Sequence, residues 1–179
     1  FLGTGAASYM DIAALNRRGI TVHTIKGYGD TAVAEHTIAL MFAAARDIAR
    51  MDRDIRGGAW RTREGVQLLG KTLGVIGLGG IGREVVRIAA GLGMKVLAWN
   101  RTPVAAAPAT LAPLEEVLAQ ADVLSLHLVL NDETRNFLDA ERLAKLKPGC
   151  ILVNTARGAL VDEKALLAAL ESGRIRHAA

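Results

Sequence analysis

The chain of 179 residues is 51% hydrophobic and 22% charged, a balance that excludes intrinsic disorder and supplies one ordinary domain with a piece of another. Its net charge of +4 gathers between Arg46 and Arg63, but Asp47, Asp52, Asp54 and Glu64 interleave there, the pattern of a solvated, ion-paired helix rather than a nucleic-acid surface. Apolar runs such as 38–45 fall far short of a membrane span, no secretory leader opens the chain, and the lone Cys150 forbids an internal disulfide, so a cytoplasmic protein without membrane or nucleic-acid partners is expected.

The first residue is Phe rather than Met, and more chain is expected before it. Residues 11–18 predict a short helix and 20–25 a strand, closed off by Gly27-Tyr28-Gly29-Asp30. Residues 1–30 are expected to be the C-terminal part of a split, smaller substrate domain. A long helix over about 31–51 leads into the main unit, residues 31–179. There strands and helices alternate: strand 73–76, helix 82–92, strand 95–99, a weak strand at 110–111 and helix 114–120. Strand 122–128, helix 139–146, strand 150–153, a helix capped by Asp162 and strand 175–179 follow. The last strand is expected to be cut short by the chain end. Alternation of this kind implies an α/β fold, a Rossmann-type doubly wound parallel sheet, beside a fragment of a second, smaller α/β domain.

Gly77-Leu78-Gly79-Gly80-Ile81-Gly82 joins the first of these strands to a helix, the context in which GxGxxG binds a dinucleotide pyrophosphate. Gly77 is expected to permit the turn, Gly79 the approach of the anion and Gly82 the packing of helix on strand. Gly65 to Thr72 also satisfies GxxxxGK[ST], the nucleoside-triphosphate loop. It leads into a strand rather than a helix, so no helix terminus faces a phosphate and the match is set aside. At the end of the second strand, Asn100 stands where an acid would hold the ribose 2′-hydroxyl, followed by Arg101 and Thr102. An amide does not repel a 2′-phosphate and Arg101 suits one, so NADP is expected in preference to NAD. No metal site is expected.

Several stretches together carry a resemblance: Val33-Ala34-Glu35-His36-Thr37, Gly70-Lys71-Thr72-Leu73, Ser125-Leu126-His127-Leu128, Glu133-Thr134-Arg135-Asn136, Lys147-Pro148-Gly149 and, most specific, the run from Val153 to Glu163. The chain resembles the D-isomer-specific 2-hydroxyacid dehydrogenase family over nearly its whole length, in the manner of NADP-type glyoxylate and hydroxypyruvate reductases. The resemblance implies hydride transfer between NAD(P)H and a small 2-keto or 2-hydroxy acid, in a homodimer when full length. It implies that Arg157 anchors the substrate. Thr37, Leu128, Val129, Thr134, Thr155, Ala156 and Arg157 are expected to line the cofactor, with Gly77, Gly79, Gly80, Ile81, Gly82, Asn100, Arg101 and Thr102. The family's catalytic histidine and glutamate fall beyond Ala179. None of His23, His36, His127 or His177 matches that histidine, and His36 and His127 are expected to pack or bond near the cofactor. The chain alone is expected to bind cofactor poorly and catalyse little. Val129 replaces the family's proline, Asn131 its threonine, and the loop 3–11 departs in spacing. Formate and phosphite dehydrogenases, and dinucleotide-sensing corepressors, are similar in these motifs and stand as alternatives.

Overall fold

Alternate residues of the central strands feed two separate cores, and that period of two fixes the architecture. In the computed structural model, which describes residues 10–102 and 104–179, β1 (Thr72–Ile76), β2 (Lys95–Trp99), β3 (Thr110–Leu111), β4 (Val123–Leu126), β5 (Cys150–Asn154) and β6 (Ile175–Ala178) form one sheet. Its order is β3-β2-β1-β4-β5-β6, and every neighbouring pair is parallel. Leu73, Val75, Val123, Ile151 and Val153 point to one face, where they meet α2 (Asp30–Ala45) and α4 (Gly80–Gly91). Ile76, Leu124, Leu126, Cys150 and Leu152 point to the other, under α5 (Leu114–Gln120), α6 (Ala140–Lys145) and α7 (Glu163–Glu171). Residues such as Leu73, Leu124 and Leu126 are completely buried, each worth about 1.5–3 kcal/mol of apolar transfer. The doubly wound α/β expectation holds. No helix of the described residues is long and apolar enough to cross a membrane.

Local signals placed most helix ends. Asp11, Asp139 and Asp162 each accept a hydrogen bond from a first-turn amide, capping α1 (Ile12–Arg17), α6 and α7. Four elements differ from the sequence reading. The helix expected over 31–51 is two, α2 and α3 (Ile48–Arg56), because Asp47 turns to φ 55°. That turn brings its carboxylate, only 7% exposed, against Arg176 at 3.7 Å and His177 at 3.2 Å on β6. The run 20–25 forms no strand, only a single bridge at Thr24. The described residues offer it no ladder, and Ile20 and Ile25 stay about half exposed at 49% and 45%. Strand 122–128 stops at Leu126, for once the His127 amide has bonded the Ile76 carbonyl the chain leaves the sheet over Gly77. The helix after the glycine turn begins at Gly80, two residues earlier than expected. The loop 3–11 falls mostly outside the described residues, as does Pro103.

At the amino edge of the sheet Asp122 ties three strands together. Its Oδ2 accepts from the Thr72 amide at 2.8 Å and its Oδ1 from the Lys147 ammonium at 3.0 Å, while its own carbonyl accepts from Ile151. Burial pushes this carboxyl up, but the hydrogen bonds from Thr72 and Lys147 outweigh burial and hold it below the ordinary carboxylate range. The fold therefore favours the ionised form: its contribution is present above the unfolded value of about 4 and lost as pH falls through the lower folded one. Urea unfolding of the full-length protein from pH 7 to 2.5 checks this. Asp122→Asn should cost roughly 1 kcal/mol at pH 7, a charge-assisted bond discounted for solvent screening, and flatten the acid limb. Parallel curves for the two proteins would show the cluster to be idle.

Candidate functional site

The parallel register sets the loops after β1, β2, β4 and β5 in a row, since Ile76 pairs with both Trp99 and Leu126, and Leu126 with Asn154. The glycine turn lies at the centre of that row. Gly77 has φ 98°, and a Cβ there would sit 2.6 Å from the His127 carbonyl oxygen. A Cβ on Gly82 would collide with the Gly77 carbonyl. Both positions are therefore closed to side chains, and α4 starts hard against the strand end. Around Gly79 the opposite holds: nothing lies within 4 Å of the Cβ position. The first-turn amides of α4, at Gly80, Ile81 and Gly82, have no intrahelical acceptor by helix geometry and carry the positive end of the dipole. Ile81 directs its side chain into the core. Open space above Gly79 and free amides beneath it fit a pyrophosphate.

Asn100 does something the sequence did not reveal. Its Oδ1 accepts from the Leu78 amide at 2.9 Å and its Nδ2 donates to the Thr102 carbonyl at 2.8 Å. One side chain thus clasps the glycine turn to the β2 loop, and the pattern needs a donor and an acceptor together, which an ionised aspartate lacks. Beyond the clasp lies a groove of about 280 Å³, lined on one wall by Gly77, Gly79 and 99–102 and on the other by 127–129, Asn131, Glu133, Thr134 and Phe137. Trp99 and Phe137 pack across its base with ring centroids 5.6 Å apart. Leu128 is half-buried, whereas Val129 is 80% exposed at the mouth. The Thr134 hydroxyl donates to the Val129 carbonyl and accepts from the Asn131 amide, and Asn131 Oδ1 accepts from the Thr134 amide. Thr134 is thereby a staple of this wall. Arg101 reaches over the mouth to Glu133, 2.5 Å apart.

His127 lies beneath the turn. Its Nε2 is 2.8 Å from Ser125 Oγ, and its buried Nδ1 has no hydrogen-bond partner among the described residues. Burial pushes its pKa down to about 4, so it is a neutral, packed imidazole at physiological pH. His36 differs from the expectation of packing, for it lies on the exposed side of α2. The reason is helical geometry: Ala34, Thr37 and Met41 face the sheet, which turns His36 outward.

The loop after β5 is a second cluster. Asn154 Oδ1 accepts from the Ala156 amide and its Nδ2 donates to the Arg157 carbonyl, so the strand's last residue shapes the turn. Thr37, buried in α2, donates its hydroxyl to Val33 O and lies 2.8 Å from Thr155 Oγ1. With Thr37's proton spent on Val33, Thr155 is the donor of that pair. Arg157 is exposed, bonds the Ala156 carbonyl through NH1 and precedes the 3-10 turn Gly158–Leu160. The groove walls therefore gather Gly77, Gly79, Asn100, Arg101, Thr102, Leu128, Val129 and Thr134. Thr37, Thr155, Ala156 and Arg157 form a separate cluster along the same edge. Two acids at this edge had no site role in the sequence reading: Glu133, and Asp30, whose carboxylate lies against Gly80 where any Cβ would strike it. The stretches that contain them give neither a role, because each meets its neighbour across the fold.

Residues 38–179 match the family model described as D-isomer specific 2-hydroxyacid dehydrogenase, NAD binding domain. Glycerate dehydrogenase of Methylorubrum extorquens is 42% identical over 174 residues, covering 93% of this chain and 54% of that protein. A glyoxylate reductase structure from Paecilomyes thermophila is 42% identical with a TM-score of 0.86, covering 94% of this chain and 53% of that one. The TT0316 protein of Thermus thermophilus is 42% identical with a TM-score of 0.89, covering 94% and 55%. The chain thus spans about half the length of the relatives it matches. With its order of strands, its glycine turn and this match over residues 38–179, the chain belongs to the D-isomer specific 2-hydroxyacid dehydrogenase family, as an NAD-binding domain.

Proposed function

We propose that the full-length protein reduces small 2-keto acids to 2-hydroxy acids with NADPH, and oxidises them in reverse. The observation that supports this best is the shared sheet edge, where a glycine turn with open space over Gly79 and the Arg157 loop follow strands separated only by β4. A bound nicotinamide supplies or accepts the hydride. The first-turn amides of α4 hold the pyrophosphate, and the walls at Leu128, Val129 and Thr134 flank the adenosine. Thr155 and Ala156, braced by Thr37, set the start of the Arg157 loop. A guanidinium matches the adjacent carboxylate and carbonyl oxygens of a 2-keto acid with parallel hydrogen bonds. That grip holds the carbonyl carbon in place and stabilises the oxyanion as it forms. The proton donor, by the family's pattern, lies outside these residues.

In this reading residues 1–30 end a split substrate domain and 31–179 form the cofactor domain of a cytoplasmic enzyme. A two-fold dimer completes it. The apolar side of α2 is largely spent on its own core, so the dimer surface falls on its neighbours, where Ile48, Ile55 and Trp60 are 50%, 56% and 83% exposed.

Two measurements on the full-length enzyme test the proposal. Arg157→Ala should cost roughly 2–5 kcal/mol in kcat/KM for 2-keto acids with cofactor affinity unchanged, and Arg157→Lys should restore part of it. Near-native turnover by the alanine variant would refute the anchor. For the cofactor, catalytic efficiency should be higher with NADPH than NADH, and Arg101→Ala should cut the NADPH advantage about tenfold, the worth of one charged phosphate contact. Arg101 is the position to change, since Asn100→Asp would also break the clasp on Leu78 and Thr102. Equal or better use of NADH by the unmodified enzyme contradicts the preference.

A further inference from the structure

Arg101 meets the adenosine groove already engaged. Its NH1 is 2.5 Å from Glu133 Oε2, with 69% and 74% of the two side chains exposed. The partners come from opposite walls, Arg101 from the β2 loop and Glu133 from the loop after β4, and both line the groove. Neither backbone is slack. Arg101 follows Asn100, which is held by Leu78 and Thr102. Glu133 precedes Thr134, whose amide and hydroxyl are bonded to Asn131 and Val129. The carboxylate is thus presented to Arg101 from a stapled loop.

We propose that Glu133 is a specificity-determining residue, which competes with the 2′-phosphate of NADP for the Arg101 guanidinium. The inference rests on the groove being the adenosine site and on Arg101 being its phosphate partner. An NADP phosphate must displace the carboxylate and then sit beside it, two anions sharing one cation. NAD brings no charge to that ribose, so the pair stays closed across the mouth, and Glu133 has the acceptor oxygens to take a ribose hydroxyl. The sequence therefore holds both halves of a cofactor choice: a cation for the phosphate after β2, and after β4 the acid that is missing from position 100. Each offsets the other, and the NADP preference is smaller than Arg101 alone would give.

Calorimetric titration of the full-length enzyme with NADPH and with NADH tests this in four proteins: unmodified, Glu133→Gln, Arg101→Ala and the double variant. Glu133→Gln should shift the ratio of dissociation constants toward NADPH by about two- to fivefold, the scale of an exposed ion pair. In the Arg101→Ala background the same change should shift it by less than about twofold, since the competition is for that guanidinium. Asp132→Asn removes the same charge from the same loop and should leave the ratio within about twofold, which separates pairing from general field. No shift in Glu133→Gln, an equal shift in Asp132→Asn, or a shift that persists without Arg101 overturns the proposal. If the unmodified enzyme prefers NADH, the cofactor reading fails, while the movement of the ratio on Glu133→Gln still decides whether the competition exists.

Discussion

The absence of side chains at Gly77 and Gly82 is the constraint on which the site depends. Gly82 rests on the Gly77 carbonyl, and Gly77 in turn rests on the carbonyl of His127. Three backbone segments from β1, α4 and the end of β4 meet there with no room for a methyl group. Because they meet, the first turn of α4 starts hard against the sheet edge, with its unsatisfied amides next to the open space over Gly79. A Cβ at either position would lift the helix from the strand, and a dipole end moved outward by even an ångström loses its hold on an anion.

The two edges of the sheet are finished differently. At the amino edge charged side chains close the structure, with Asp122 satisfied by Thr72 and Lys147. At the carboxyl edge the polar groups that brace the loops are neutral: Asn100, Thr134, Asn154, and the Thr37–Thr155 pair. Neutral braces hold the loops in place without adding a fixed charge to a surface that must accept a polyanionic cofactor. His127 follows the same rule, since burial keeps its imidazole uncharged. Asp30 beside Gly80 and Glu133 beside Arg101 are the exceptions, and both lie where cofactor phosphates are expected.

What the sequence made legible was whatever is decided locally. Short apolar runs placed β1, β4 and β5, Asp162 placed the cap of α7, and the glycine spacing placed the turn. Features decided by distant partners were not legible. Asp47 breaks a helix-forming run because its carboxylate meets Arg176 and His177 on β6, and nothing near Asp47 announces β6. Residues 20–25 have strand-like composition, but a strand requires a neighbour, and among the described residues none pairs with them in a ladder. Asn100 was legible as a missing acid, which is a statement about the cofactor; its grip on the Leu78 amide is a statement about the fold, visible only when β1 and β2 lie side by side.

If the amides opening α4 hold the pyrophosphate, amide hydrogen exchange on the full-length protein will differ with and without NADPH. The amides of Gly79, Gly80, Ile81 and Gly82 should exchange more slowly when the dinucleotide is bound. The Leu78 amide, already held by Asn100, should be slow in both states, an internal reference within the same turn. Unchanged exchange from Gly79 to Gly82 at saturating NADPH, with protection appearing elsewhere, would place the cofactor away from the turn and contradict the account.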